Sequence, residues 1–219
     1  MPSRRPQAVI AVALLALALV PPVFAAEPPG LEEARAALER GASAQRMSAI
    51  ARLAEAGTMA DAQALLALLR DADAEVRTAA TAALWQVWSR SGDPAIDALL
   101  ARGIAQAEAR ELDAALATFD EVVARRPEFA EGWNKRATLR FLMGDHEGSL
   151  KDCDEVLQRN PTHFGALSGA GQNHLLLGRP EQALDAFQRA LEVNPNLAGA
   201  AASVRALEQH LRERARRTI

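Results

Sequence analysis

Three prolines, Pro127, Pro161 and Pro195, stand 34 residues apart, and this spacing constrains the chain more than any other feature. The same register aligns other residues. Phe119, Cys153 and Phe187 lie eight before the prolines, and Ala115, Ser149 and Ala183 lie twelve before, each followed by leucine. Gly103, Ala137 and Gly171 lie twenty-four before; Leu99, Trp133 and Leu167 lie twenty-eight before. Small residues let two antiparallel helices approach closely, and the large ones fill the space beside them. Gly144 and Gly178 can take the left-handed conformation that ends a helix. Proline opens the next helix, where its missing N–H costs nothing. Asn160-Pro161 and Asn194-Pro195 are matching turn signals. A unit of this kind buries its apolar face only by stacking on copies of itself.

The pattern resembles the tetratricopeptide repeat, a helix–turn–helix of 34 residues. Three repeats follow: Ile96–Phe129, Ala130–His163 and Phe164–Leu197. The second and third match closely, although Arg140 and His174 stand at the usual aromatic place. The first has Arg110 where the others have glycine. The resemblance implies an all-α, right-handed solenoid of antiparallel helix pairs. It also implies that the first helix of each repeat lines a concave, peptide-binding groove. The implied groove residues are Asn134, Thr138, Phe141, Ser168, Gln172 and Leu175, with Lys135 and Arg136 beside them. Asp97, Leu100, Ile104, Glu131 and Gly165 hold equivalent places. Asn134 and Gln172 can donate to and accept from a peptide backbone. Some members grip a C-terminal carboxylate with Lys, Asn and Arg; here those places hold Leu100, Ile104, Gly165 and Gly169, so that clamp is absent.

Composition agrees with helices. Of 219 residues, 49% are hydrophobic but only 4% aromatic, with no tyrosine, and Ala and Leu dominate. This argues against an all-β fold. The near balance of 25 basic and 28 acidic side chains argues against a nucleic-acid partner. One cysteine excludes an internal disulfide and a cysteine-rich zinc site.

The first residues read as an address. Arg4 and Arg5 precede an uncharged apolar run from Ala8 to Val20, then Pro21-Pro22 and Val23-Phe24-Ala25. This is the order of a secretory signal peptide, residues 1–25, with cleavage after Ala25. The run is too short to span a bilayer, which needs about 20 residues. Its removal leaves 23 basic against 28 acidic side chains, a net charge of −5. With only two lysines and abundant Ala and Arg, the chain reads as an exported bacterial protein, periplasmic or secreted, not inserted in the membrane once cleaved.

Residues 31–93 carry a second helical pattern, with helices expected over Leu31–Arg40, Ala44–Ala56, Ala60–Arg70 and Ala74–Arg90. The stretch from Ala64 to Trp88 resembles HEAT-type repeats, in which Asp and Arg form a ladder along the stack; Asp73 and Arg77 match those places. Trp85 and Trp88 share one helix face and read as core or junction packing in preference to a ligand platform. Asp93-Pro94 starts the next helix. That helix is expected to serve both arrays, joining the HEAT-like segment 31–93 and the three repeats of 94–197 into one continuous solenoid. Residues 198–219 read as a capping helix, and the five arginines from Arg205 to Arg217 suit a helix C-terminus.

The chemistry of catalysis is missing. There is no phosphate loop, nucleophile elbow, HExxH or CxxC. Asp145, His146, Glu147, Lys151, Asp152 and Asp154 form the densest polar cluster, but they fall at a turn of a repeat, and Cys153 occupies its apolar place. No cofactor, metal or catalytic residue is expected. The function expected is a non-enzymatic interaction module that holds a protein or peptide partner in the groove, a scaffold or assembly factor of the cell envelope. The alternatives are a structural homo-oligomer and an accessory subunit of an envelope enzyme.

Overall fold

The computed structural model describes residues 30–217. The expected signal peptide lies outside them. Among the described residues there are helices and no strand: α1 Leu31–Arg40, α2 Ser43–Ala56, α3 Ala62–Ala67, α4 Ala74–Trp88, α5 Pro94–Glu108, α6 Leu112–Arg125, α7 Ala130–Leu142, α8 His146–Arg159, α9 Phe164–Leu176, α10 Pro180–Val193 and α11 Ala198–Arg217. No described helix is long and apolar enough to cross a membrane.

From α5 onward the helices pack as antiparallel neighbours, α5/α6, α7/α8 and α9/α10, with α11 closing the array on α10. The starts match the 34-residue register. Asp93 caps α5 by accepting from Ala95 N–H at 2.9 Å, and Asp145 caps α8 by accepting from Gly148 N–H at 2.9 Å. Gly144 and Gly178 end α7 and α9 at φ +83° and +69°. Arg110 takes the same turn at φ +62°, a conformation that costs a side chain about 1 kcal/mol or more.

Helix pairs close on complementary volumes. A side chain at Gly103 would meet the Phe119 ring at 2.5 Å, and one at Gly171 would meet Phe187 at 2.8 Å. In the middle repeat the pairing is Ala137 with Cys153, a larger small residue against a smaller large one. Ser149 locks that repeat by donating its hydroxyl to Ala137 O at 2.8 Å while accepting from Asn173 Nδ2 at 2.9 Å.

Helices α1–α4 form a unit of their own. Leu53, Leu65, Leu69, Val76, Leu84 and Val87 are fully buried in it. The expected helix over Ala60–Arg70 is shorter, with single 3₁₀ turns at Met59–Asp61 and Leu68–Arg70 flanking α3. Asp73 caps α4, and Arg77 donates to Asp71 O at 2.8 Å, to Ala72 O at 3.0 Å and to Asn196 Oδ1 at 3.0 Å.

The joining of the two arrays differs from the expectation of a shared helix. α4 and α5 do not pack as a pair. The chain turns at Gly92, φ +79°, and the α1–α4 unit lies along the loops that link the repeats. Trp85 and Trp88 meet His163 and Phe164 at the start of α9. Arg70 donates to the carbonyls of Glu192 and Val193, and Asn196 donates to Leu69 O at 2.7 Å. Val193 and Leu197 complete the core of the unit. The physical reason is the tryptophan pair: a large apolar face on α4 finds its complement in the third repeat, not the first.

Candidate functional site

Helices α7 and α9 are packed neighbours and carry the expected groove residues. Asn134, Thr138, Phe141 and Gln172 line one narrow cleft of about 80 Å³ with Gly165, Gly169 and Asn173. Thr138 and Gln172 are exposed, Ser168 and Phe141 are half-buried, and Leu175 is 40% exposed. The Thr138 hydroxyl turns back to Asn134 O at 2.9 Å, and the Phe141 ring stands edge-on to His146 at 5.5 Å. His146 Nδ1 lies 3.1 Å from Asn173 Oδ1, which fixes the floor of the cleft.

Three of the expected contact residues are engaged inside the fold. Asn134 is buried and donates to Glu131 Oε2 at 3.2 Å. Lys135 Nζ sits 2.9 Å from Glu131 Oε1. Arg136 joins α7 to both flanking helices: it pairs with Asp152 through two contacts of 2.9 and 2.7 Å and with Asp120 at 2.7 Å. Burial works against the Arg136 charge, but the Asp152 and Asp120 carboxylates outweigh it and hold its pKa above the ordinary value. Arg140 adds a 2.9 Å bond to Asp152 in place of the aromatic side chain of other repeats. The sequence places Lys135 and Arg136 beside the groove; the structure uses both as cross-braces, because their acidic partners stand one helical turn or one helix away.

The buried polar centre is Glu131 with His163, both without exposed side-chain surface. His163 Nδ1 accepts from Ala166 N–H at 3.0 Å, so Nε2–H is free to donate to Glu131 Oε2, also 3.0 Å away. Trp88 stacks on the imidazole at 4.5 Å and Trp85 stands edge-on at 5.3 Å. A side chain at Gly165, an expected groove position, would collide with the Trp85 ring. The α1–α4 unit therefore closes the inter-repeat-loop edge of the concave face and leaves the opposite edge open.

That open edge is apolar. Leu142, Met143, Leu175 and Leu176 at the ends of α7 and α9 are 65%, 39%, 40% and 60% exposed. Beside Leu175 a cavity of about 560 Å³ continues onto α11 between Ser203, Ala206, Leu207, His210 and Arg214. Sequence reading missed these α11 residues by treating the helix as a cap. The signal was present: α11 begins one full register after α9 and so presents its residues as a fourth inner helix.

Cys153 is buried behind this face. Burial and the Asp152 and Asp154 charges push its thiol up to about 12, so it is no nucleophile. Among the described residues, no group of three or more His, Cys, Asp or Glu is placed to hold a metal.

Models of the tetratricopeptide repeat match residues 97–128 and 128–196. A TPR repeat-containing protein of Rhizobium etli is 39% identical over 67 residues, which cover 31% of this chain and about a third of that relative's length, 33%. The first TPR of Spaghetti (RPAP3), solved with an HSP90 peptide, superposes with a TM-score of 0.52 at 22% identity, over 53% of this chain and 92% of that one. The TPR domain of Sgt2 from Aspergillus fumigatus gives 0.53 at 19% identity, over 57% and 83%. The Yersinia enterocolitica type III secretion chaperone SycD, solved with a peptide of the translocator YopD, gives 0.51 at 12% identity, over 54% and 95%. The register of prolines, the small–large helix pairs, the family match and the fold agree: residues 97–196 of this chain are tetratricopeptide repeats.

Proposed function

We propose that the chain is a non-enzymatic interaction module that holds a segment of a protein partner against the concave face of its repeats, and that it works as a scaffold or assembly factor in the bacterial cell envelope. The observation that carries this is the open apolar edge: four large apolar side chains stand exposed at the ends of two neighbouring inner helices, and one of them, Leu175, lines a cavity. Thr138, Ser168 and Gln172 supply hydrogen bonds at the cleft, so apolar contact gives affinity and amide or hydroxyl groups give register. Two structural neighbours are solved with peptides, which supports the same use of this face. The envelope location rests on the basic–apolar–small order of residues 1–25. The α1–α4 unit is read as HEAT-like and as the support that shuts one edge of the groove.

The test is capture from cell-envelope extract by the chain beginning at Ala26, compared with Thr138→Arg/Gln172→Arg, both exposed positions. A protein held by the first and lost by the second supports the reading. Equal capture by both moves binding off the concave face.

A further inference from the structure

A second cavity, of about 150 Å³, lies where the α1–α4 unit meets the first two repeats, between the end of α4, the turn 126–130 and the end of α8. It shares no lining residue with the cleft on α7 and α9. Two of its lining side chains, Trp88 and Asn160, are only 3% and 5% exposed. Each buries an N–H donor, Trp88 Nε1 and Asn160 Nδ2, that has no hydrogen-bond partner among the described residues. Turning the Asn160 amide over does not remove the difficulty. Its Oδ1 accepts from the Thr162 hydroxyl at 2.9 Å and from Thr162 N–H at 3.3 Å, which fixes Nδ2 on the other side. Asn194, one register later, also buries Nδ2 without a partner; Asn160 differs in sharing a cavity with a second such donor and with arginines.

The charge has the matching sign. Three arginines and one glutamate line the cavity. Glu128 pairs with Arg126 at 2.6 Å and Arg159 pairs with Glu155. Arg90 is different. It donates to the carbonyls of Gly57 and Ala54 and meets no carboxylate within 4.0 Å among the described residues. Phe129, buried, and Met59, half exposed, add an apolar wall.

We infer that this cavity binds a small carboxylate, its oxygens accepting from Trp88 Nε1 and Asn160 Nδ2 beside the Arg90 charge and its short aliphatic stem against Phe129 and Met59. A buried donor without a partner is costly, and a carboxylate gives each one a charge-assisted bond. A cavity of about 150 Å³ is large enough for benzene, so the ligand has about four to six non-hydrogen atoms, as butyrate does. Trp88 belongs to α4 and Asn160 to the second repeat, so the ligand ties the two units together. The same group can arrive as a free acid or at the end of a polypeptide.

The three tryptophans each give an indole N–H signal in a ¹H–¹⁵N spectrum of the chain beginning at Ala26, and Trp88→Phe identifies the one concerned. Butyrate is expected to move that signal downfield and saturably, half-complete at about 1 mM or below, while its uncharged isostere butyramide needs at least about tenfold more. Asn160→Asp, which replaces the amide donor with an acceptor of the same size, should weaken butyrate about tenfold or more, with helical circular dichroism checking the fold. Acetyl-valine separates the sources. Tighter binding than butyrate supports a chain-end carboxylate at this site, and weaker binding supports a free acid there. No saturable shift of the Trp88 signal by butyrate or acetyl-valine up to about 50 mM overturns the inference, and so does an equal shift by butyramide or by sodium chloride.

Discussion

His163 stacks on the Trp88 indole at 4.5 Å while its Nε2–H meets Glu131 Oε2 at 3.0 Å, so one imidazole joins α4 to the second and third repeats. Trp88 is 3% exposed. Trp88→Ala should therefore cost about 3–5 kcal/mol in denaturant unfolding. Gly165→Val should act differently. Its Cβ collides chiefly with the Trp85 ring and more mildly with the His163 imidazole at 3.2 Å, so the prediction is a red shift of tryptophan emission with little loss of helical circular dichroism. An unshifted spectrum would contradict the docking of α4 on α9.

Acid should loosen the same junction. Burial alone would raise the Glu131 pKa, but the His163 hydrogen bond and the Lys135 ammonium outweigh it and hold the carboxyl below its ordinary value. Asp61 is held low in the same sense: burial opposes, while Arg35 at 2.7 Å and the Thr58 N–H at 2.7 Å prevail. A depressed carboxyl pKa means the unfolded chain binds the proton first. The stabilisation is thus full above the ordinary carboxylate pKa of about 4 and is lost as pH falls below it. Glu131→Gln should flatten the dependence of unfolding free energy on pH below about 4.5, measured by urea titration across pH.

The middle repeat offers a packing test. Cys153→Phe restores the large residue of the other repeats but meets Ala137 where they have glycine, and should cost about 1–3 kcal/mol. Adding Ala137→Gly should recover much of that loss, a coupling that a double-mutant cycle reads directly. In the unmodified chain the Cys153 thiol, raised to about 12, should resist alkylation at neutral pH until the protein unfolds.

Arg110 holds a left-handed turn that Gly144 and Gly178 hold in the later repeats. Arg110→Gly should raise stability by about 0.5–1 kcal/mol, because the relief of side-chain strain exceeds the added chain entropy. A loss of stability would show that the arginine side chain is needed at that turn.

The repeats were legible because their spacing is covalent. Proline, the small residues and the large residues recur at fixed offsets, and volume pairs such as Gly171 with Phe187 close within a few turns of one another. The docking of α1–α4 was not legible, since Trp85 and Trp88 meet residues 163–165 far along the chain and leave no period behind. That Thr138, Phe141 and Gln172 come together was legible from the register, and they line one cleft. The ion pairs of Arg136 were not legible, since Asp120 and Asp152 stand on neighbouring helices, whereas Glu131, four residues before Lys135 on the same helix, was open to a sequence reading. The α11 pocket was missed because a helix rich in arginine reads as a solvated cap until Leu175 is found beside it.

The central claim is that the concave face, and not the outer face, receives the partner. A photo-crosslinking amino acid placed at Gln172 on α9 and, separately, at Gln188 on α10 measures this with two exposed positions of one repeat. Irradiated with envelope extract, the Gln172 position is predicted to yield a discrete adduct and the Gln188 position none. Adducts of equal yield at both, or at Gln188 alone, would contradict the claim.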